Sequence, residues 1–540
     1  MEFPLRQHFL PLSSGRLTGW PLLAALLMGI VLAFLPLPVG VGVVVGTAAL
    51  LLILIQPLCG LLLALVIGPF GAVESLYVGN LLLDSGQIVF LLTLAVWLAR
   101  SITRRRIILP YTPLNLPLLL FIGLTSITVL YAPSSLFGAI EVFKWVEILL
   151  VMWIVVDMVW EGRHDGLDRR ETRLQENSKT APACLTPTGG NWRSVVGRLA
   201  TVRGVVFMLL LAGLSQALIG IWQFGLRGDG PEHFEIPGGF YRAYGTFNQP
   251  NPFGGYMSMA ACLGVGVLVG LVMEWLHRSA VVNKIFGLVG AGLVPAQGDH
   301  KGTLLQEWGW LVFVGGCAAA LVAAVVFSWS RGAWLGFGAA MAGLVFFFPR
   351  RRWIGALLLV GGGGLFLVGS QLGLVPASIS TRITSFQEDL RFGDVRGVDI
   401  NDANYAVLER LAHWQAAIEM AKDNLWGGVG FGNYEPAYGE YALINWPFPL
   451  GHAHNYYLNL LAEIGVPGLA AYLVLWGMIG WQAAVLVKQL GWPRRGIALG
   501  LLAVWVTLSV HHLVDKLYVN NLYIFLGAML GLQQILDKRE

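Results

Sequence analysis

The chain has 540 residues, of which 56% are hydrophobic and only 12% are charged, and its mean hydropathy is +0.67. Soluble domains carry about 25% charged residues, so this composition excludes an ordinary soluble protein and indicates a chain that crosses a membrane several times. The formal net charge of +4 says little by itself, because the placement of Lys and Arg matters more in membranes, and we expect no nucleic-acid partner. The four cysteines show neither a disulfide framework nor a metal-binding spacing.

Apolar runs of about 20 residues predict membrane-spanning helices. The runs are residues 20–36, 39–55, 57–72, 87–100, 114–131, 138–160, 204–225, 253–275, 308–328, 333–349, 353–370, 455–487, 496–513 and 518–536. Several runs are short or joined by a proline or glycine, so we predict 12 to 14 transmembrane helices in an all-α polytopic membrane protein. The first run has no small-residue cleavage site, so we predict an anchor and not a removable signal.

Basic residues cluster on one side of the membrane when fourteen spans are counted. The clusters are residues 100–106, 161–203, 277–284, 350–352, 488–495 and 538–539. The positive-inside rule makes that side cytoplasmic, together with both termini. The opposite, outer side receives the loop 226–252 and the long segment 371–453, which is net acidic.

These features divide the chain into five parts. They are N-terminal transmembrane helices (1–160), a flexible cytoplasmic loop (161–203), core transmembrane helices (204–370), a large outer segment (371–453) and C-terminal transmembrane helices (454–540). The cytoplasmic loop is polar, which is typical of a flexible linker. We predict that residues 285–297 lie along the membrane interface. Residues 403–424 form an amphipathic helix that could lie on the outer membrane surface.

Arg242 precedes a predicted helix at the outer face. Asn251 suits the N-cap of this helix and Pro252 its first position. A helix N-terminus beside a guanidinium favours anion binding, whereas anchoring of Arg242 at lipid headgroups is the alternative.

Arg331 falls at the outer turn between two long apolar runs. A charge so placed is costly unless it faces a polar cavity or a partner, which favours a functional role over snorkelling to the surface. A guanidinium is also suited to bidentate phosphate binding. Arg410 and His413 share a face of the amphipathic helix. We expect His413 on a solvated face, and Arg410 either there or at the site.

His454 lies where the outer segment meets an apolar run, and we predict that it begins a helical stripe with Leu458 and Leu461. An imidazole suits a general base, although a lone histidine at a helix start is often structural. His452 is the competing candidate. Glu463 lies half a turn out of phase, so we expect no support for His454 from it.

His511 and Asp515 are spaced i, i+4 and could pair as a supporting element, with packing or interfacial anchoring as the alternative. The sequence contains no clustered His/Glu box and no Asp-x-Asp pair. We therefore expect no metal.

Four motifs resemble the O-antigen ligase and O-antigen polymerase family of bacterial membrane glycosyltransferases, over about residues 200–535. His454-Asn455, nine residues and then Gly465-Val466-Pro467-Gly468 is similar to the family pattern His-Asn-x9-Gly-x-x-Gly. The other three are Ser330-Arg331-Gly332, the loop from Arg242 through Pro252, and Arg410 with Trp414 followed by Gly428-Val429-Gly430. Leu469 stands where ligases often carry Thr, which favours a polymerase over a ligase.

The resemblance implies a GT-C-like helix bundle in the bacterial plasma membrane. It also implies a polyprenyl-diphosphate-linked glycan as donor, such as an undecaprenyl diphosphate, a glycan or lipid acceptor, and a metal-independent, inverting transfer without a cofactor. His454 would then be the general base. Residues implied to bind the donor diphosphate are Arg242, Arg331 and Arg410, and supporting residues are Asn251, His452, Asn455 and Asp515.

Two other classes of function stay open at this point. Some relatives have been assigned to bicarbonate uptake, and a transporter would place its site near the bilayer midplane, between broken helices in matching halves. Here the charged residues cluster at the outer mouth instead. A scaffold in an envelope assembly complex would need none of the arginines.

Overall fold

In the computed structural model, the described residues are 34–72, 76–78, 81–104, 109–178, 199–278, 301–374, 394–401 and 404–537. Most of these residues are α-helical. The helices are α1 (Leu37–Ile55), α2 (Pro57–Ile67), α3 (Ser85–Thr103), α4 (Asn115–Val129), α5 (Ser135–Ser178), α6 (Val202–Gly225), α7 (Pro250–Arg278), α8 (Lys301–Phe327), α9 (Arg331–Phe347), α10 (Arg352–Gln371), α11 (Tyr405–Asp423), α12 (Tyr434–Tyr441), α13 (Tyr456–Gln489), α14 (Arg494–His511) and α15 (Leu522–Asp537).

Short elements complete the described structure. Two antiparallel strand pairs join β1 (Leu76–Val78) to β2 (Leu81–Leu83) and β3 (Glu235–Ile236) to β4 (Phe240–Tyr241). Two 3-10 turns cover Gly68–Ala72 and Glu232–Phe234.

Each predicted span after the first coincides with one of these helices, and residues 20–33 of the first span lie outside the described residues. Within the described residues, seven helices are long and apolar enough to cross a membrane: α1, α3, α6, α7, α8, α10 and α13. Four shorter helices, α2, α4, α9 and α15, are also apolar. The all-α polytopic membrane fold predicted from composition is therefore confirmed.

The chain separates into two compact units, residues 1–55 and 56–540. Helix α1 is the described element of the first unit. In the second unit, α7 packs against α6, α8, α9 and α14, and α5 packs against α4 and α15. The outer helix α11 packs on α13.

Helices α7 and α14 approach closely through four glycines. A Cβ on Gly266 would overlap the backbone of Gly500, and one on Gly270 would lie 2.6 Å from the carbonyl oxygen of Pro493. Gly496 faces Gly270 in the same way. Small residues spaced by four allow close helix contact where the hydrophobic effect does not drive association. This contact lies towards the C-terminus of α7 and the N-terminus of α14. At the opposite ends, which carry candidate site residues, a Cβ on Gly255 of α7 would lie 3.2 Å from Cε1 of His511 at the end of α14.

The predicted flexible linker is helical in its first part. Helix α5 runs to Ser178, so residues 161–178 continue the preceding span as a helix. This part contains four Arg and three Glu, which are strong helix formers even without an apolar face. Residues 179–198 and the predicted interfacial stretch 285–297 lie outside the described residues.

The predicted amphipathic helix is present as α11, and its apolar face packs on protein. Ala416 and Met420 pack against Tyr438 of α12, while Leu411 packs against Trp446. The outer segment thus covers the start of α13, and the buried face of α11 is not available to the membrane surface.

Helix α13 is broken near its N-terminal end. Gly465 has φ 62° and ψ −169°, a backbone conformation that only glycine adopts easily, and Pro467 has no N–H to donate. The Val466 N–H bonds outside the helix, to the carbonyl of Leu425 at 2.9 Å. The break therefore frees the carbonyl groups of Ala462 and Glu463 from their normal helical donors.

A glycine-rich loop satisfies these freed carbonyl groups. Val429 N–H donates to Ala462 and Gly430 N–H donates to Glu463, each at 2.9 Å. Gly428 has φ +68°, and a Cβ there would overlap the backbone of Glu463. Irregular backbone within a membrane protein needs such internal partners. Gly428-Val429-Gly430 of the fourth sequence motif is thus the backbone partner of the broken helix.

Candidate active site

His454 lies in the loop immediately before α13. It has φ 52°, so it stands outside the helical stripe that the sequence predicted. The reason is its neighbour Asn455, the N-cap of α13, whose Oδ1 accepts hydrogen bonds from the N–H groups of Tyr457 at 3.0 Å and Leu458 at 3.1 Å. An N-cap ends the preceding loop at a defined backbone conformation. Asn455 thereby fixes the backbone that carries His454.

Asp515 is the acidic partner of this histidine loop. Its Oδ1 lies 2.8 Å from Nε2 of His452 and 4.0 Å from Nδ1 of His454. The same oxygen accepts a hydrogen bond from the backbone N–H of Lys516 at 2.8 Å. Burial would raise the pKa of the Asp515 carboxyl, but the His452 hydrogen bond and the neighbouring histidines hold that pKa below its usual range. Asp515 is therefore a carboxylate facing both histidines.

A side-chain hydrogen bond between His511 and Asp515, one of the two alternatives that their spacing left open, is not made, since neither ring nitrogen of His511 bonds to a described residue. The backbone N–H of Asp515 donates to the His511 carbonyl at 3.1 Å, while the carboxylate turns towards His452. The helix α14 ends at His511, so the i, i+4 geometry of a regular helix no longer applies at Asp515.

The His454 ring is a neutral, partly buried imidazole. Its side chain is 17% exposed, and neither ring nitrogen makes a hydrogen bond to a described residue. Burial, the nearby His452 and the charge of Arg410 lower the pKa of His454 to about 3, although Asp515 opposes the shift. A neutral ring keeps a lone pair available for a proton. Glu463 plays no part here, since its Oε1 accepts from the Tyr434 N–H.

His413 is buried, which makes the prediction of a solvated position wrong. It is 1% exposed, its Nδ1 lies 2.9 Å from the Tyr434 hydroxyl, and its ring stacks on Tyr438. The ring centroids of His413 and His454 are 5.7 Å apart. Burial and the nearby His452 lower the pKa of His413 to about 4. The alanines near His413 in the sequence could have predicted this burial, because their small side chains let α12 pack over this face of α11.

Arg242 and the turn before α9 form one hydrogen-bonded unit. Arg242 Nε donates to the carbonyl of Ser328 at 3.1 Å, and its Nη2 donates to Asn251 Oδ1 at 3.2 Å. Ser330 Oγ donates to the same Asn251 oxygen at 2.9 Å. Two motifs far apart in the chain are therefore joined through one amide side chain.

Asn251 is not the N-cap that the sequence predicted. Helix α7 begins at Pro250, which places Asn251 in the first turn and frees its side chain to accept from Arg242. Neither Pro250 nor Pro252 has an N–H group, so this helix start offers fewer donors to an anion than we expected. Positive charge at this point comes chiefly from the guanidinium.

Arg331 is the first residue of α9, after the N-cap Ser330. The next residue, Gly332, packs against the loop that carries Asp515. A Cβ on Gly332 would lie 2.7 Å from Val514 Cγ2 and 3.5 Å from His511 Cε1. The Ser-Arg-Gly turn therefore contacts both the Arg242 motif and the loop beside the histidines.

Arg410 lies on α11, partly exposed, with its Nη1 3.4 Å from the carbonyl oxygen of Ala406. Its charge acts on the His454 ring and helps to lower the pKa of that ring. The structure thus gathers the predicted arginines and histidines at one end of the helix bundle.

His452, His454 and Asp515 each present one ligand-type atom within 4.8 Å of the others. This spacing is also within reach of a metal ion, a possibility that sequence spacing alone did not reveal. In the described structure the Asp515 oxygen already accepts two hydrogen bonds. Metal independence therefore stays a prediction.

The sequence profile described as O-antigen ligase matches residues 316–473. The matched region includes Arg331, Arg410, His452 and His454, whereas Arg242 and Asp515 lie outside it. No curated protein matches the chain. In general terms the match supports a membrane glycosyltransferase of the O-antigen ligase type. Residues 316–473 are thus similar to the O-antigen ligase family, which agrees with the resemblance seen in the sequence motifs.

Proposed function

We propose that this protein transfers a glycan from a polyprenyl-diphosphate donor to an acceptor hydroxyl at the outer face of the bacterial plasma membrane. One observation carries the proposal: a partly buried, neutral His454 faces a carboxylate at the end of the bundle that also bears Arg242 and Arg331. The product is an extended polysaccharide or a glycosylated lipid, depending on the acceptor. Leu469, where ligases often carry Thr, favours polymerisation.

His454 acts as the general base. Its lone pair takes the proton of the acceptor hydroxyl as the hydroxyl oxygen attacks the anomeric carbon of the donor sugar. The new glycosidic bond forms as the bond from that carbon to the diphosphate oxygen breaks, and attack opposite the leaving group inverts the configuration. The Oδ1 of Asp515 lies 4.0 Å from Nδ1 of His454, and its negative charge stabilises the imidazolium that His454 becomes.

The arginines act on the leaving group. The diphosphate gains negative charge as its bond to the sugar breaks, and fixed positive groups placed beforehand stabilise that charge. Arg242 is held in place by Ser328 and Asn251, so its guanidinium needs little reorganisation. Arg331 starts α9 next to Ser330, which bonds to the same Asn251, and Arg410 on α11 acts on the His454 ring through its charge.

Metal-free transfer is consistent with this distribution of charge. Three arginines supply the positive charge that a divalent cation supplies in metal-dependent transferases. We propose that no metal and no organic cofactor take part.

Transport is the runner-up function, and the broken helix α13 is the observation that favours it. Transporters use freed backbone carbonyl groups of discontinuous helices to hold coupling ions. Here the freed carbonyl groups of Ala462 and Glu463 accept from Val429 and Gly430. The break therefore supports the loop beside the histidines, and we favour transfer over transport.

The deciding experiment compares His454→Ala with His277→Ala in proteoliposomes that contain a polyprenyl-diphosphate-linked glycan. His277 is exposed near the opposite end of α7, so its loss controls for handling and reconstitution. We expect His454→Ala to lower the initial rate by about 10²- to 10⁴-fold and the control to keep the wild-type rate. A His454→Ala protein that transfers at the wild-type rate would show that His454 is not the general base.

A further inference from the structure

The loop that carries Asp515 is tied to the N-terminal half of the protein by buried charges. Lys516 Nζ lies 2.8 Å from Glu141 Oε1, and Lys144 Nζ lies 2.6 Å from Glu141 Oε2. Glu141 and Lys144 are on α5, whereas Lys516 lies between α14 and α15. Sequence patterns gave no sign of this pairing, since the partners are far apart along the chain.

These charges are shielded from water. The side chains of Lys516 and Glu141 are 9% and 6% exposed. Burial lowers the pKa of Lys516, but the carboxylates of Glu141 and Glu463 more than offset this and raise it above its usual value. Lys516 is therefore charged. Loss of its partner would leave a buried charge without compensation, which is strongly unfavourable.

The network reaches the candidate site through one residue. The backbone N–H of Lys516 donates to Asp515 Oδ1 at 2.8 Å, the same oxygen that lies 2.8 Å from His452 Nε2. Lys144 Nζ also donates to the carbonyl of Tyr518 at 3.2 Å, which holds the loop at a second point. Glu141 thus holds the loop at two points just after Asp515, directly through Lys516 and indirectly through Lys144.

We propose that Lys516 and Glu141 are positioning residues that hold the Asp515 carboxylate against His452 and His454. The inference rests on the proposed function and deepens it. It gives the N-terminal helix α5, which lies outside the matched region 316–473, a direct part in the geometry of the site. Neither residue touches the reacting atoms.

Lys516→Met is the informative variant, because Glu141 keeps Lys144 as its partner when Lys516 is lost. We expect kcat to fall by about tenfold to a hundredfold, since small misplacements of catalytic groups cost this much, while KM for the donor stays within about threefold. Lys516→Arg keeps the charge and should keep most of the activity. Lys422→Met, which removes an exposed pair with Glu419, is the matched control.

A second measurement does not depend on transfer. Diethyl pyrocarbonate modifies accessible imidazoles, and mass spectrometry gives the rates at His452 and His454 in the resting protein. We expect Lys516→Met to change the His452 rate at least threefold and Lys422→Met to leave it unchanged. If His454→Ala keeps transfer but Lys516→Met alters His452 reactivity, the proposed base fails while the positioning role stands.

Three results would overturn the inference. One is a Lys516→Met protein with wild-type kcat and wild-type modification rates. Another is an equal loss in Lys516→Arg and Lys516→Met, which would show that the charge is not what matters. The third is a raised donor KM with unchanged kcat, which would place Lys516 in donor binding instead.

Discussion

The Oδ1 of Asp515 lies 4.0 Å from Nδ1 of His454, beyond hydrogen-bond distance but close enough for a strong electrostatic interaction. His452, at 2.8 Å, takes the direct hydrogen bond instead. The carboxylate therefore acts on His454 through its charge, which matters most when the ring becomes protonated. The hydrogen bond between His452 and Asp515 holds the carboxylate where its negative charge can stabilise a protonated His454 ring.

The pH dependence of transfer follows from the His454 environment. Because its pKa is lowered to about 3, the ring stays neutral from about pH 5 to 8 and gains a proton only as the pH falls towards that value. We expect no loss of kcat/KM from His454 protonation above about pH 5. A fall in kcat/KM centred near pH 6.5 that persists when each of the other histidines is replaced would contradict the environment assigned to His454.

Asp515→Asn should weaken the base. Asp515 raises the pKa of His454, so its loss lowers the affinity of the ring for a proton, and the imidazolium loses its stabilising charge. We expect kcat to fall about tenfold to a hundredfold, measured as initial transfer rate. Asp423→Asn, at the exposed end of α11, is the control. Equal rates in the two variants would remove Asp515 from the mechanism.

Lysine should not replace the arginines. Arg331→Lys and Arg242→Lys keep the charge but lose the planar, bidentate donor set that matches a diphosphate. We expect kcat/KM for the donor to fall by about 10²-fold in each, the size of effect seen when one donor to a developing charge is removed. Arg396→Lys, 74% exposed in the outer segment, should behave as wild type. Full activity in both lysine variants would argue against diphosphate binding.

Removal of divalent cations tests metal independence. We expect millimolar chelator to leave the transfer rate unchanged, because the arginines supply the positive charge. We also expect the transfer rate to stay the same when magnesium or zinc is added back. Strong inhibition that a cation reverses would instead give the His452, His454 and Asp515 set a metal-binding role.

Gly428→Ala should destabilise the loop that covers the helix break. Gly428 has φ +68°, and its Cβ would overlap the backbone of Glu463, so we expect a loss of about 1–3 kcal/mol in the free energy of unfolding. Gly439→Ala is the matched control, because a Cβ there meets open space on helix α12. Thermal unfolding of both variants in detergent gives the comparison. Equal melting temperatures would contradict the close approach.

The predicted orientation is testable with single cysteines. In a background without the four native cysteines, we expect Lys422→Cys to react with an impermeant maleimide from outside the cell. Lys488→Cys, exposed at the other end of α13, should react only after permeabilisation. The reverse pattern would invert the protein in the membrane.

Local sequence determined the helices and several of their ends. A bilayer demands about 20 apolar residues per span, so hydropathy alone located the helices from residue 39 onwards. Likewise, the amphipathic pattern of residues 403–424 located α11, whereas the loop conformation of His454 before α13 was not predicted. The helix positions depend on neighbours along the chain, and the one-dimensional pattern contains them.

Only the tertiary structure decided which side chains meet. Asp515 bonds to His452 across 63 residues, and Arg242 bonds to the Ser328 carbonyl across 86. Such pairs depend on how helices pack, on the four glycines that bring α7 to α14, and on the freed carbonyl groups of a broken helix. Buried charges need partners, and the fold supplies these partners from distant parts of the chain, so no periodicity in the sequence predicts them.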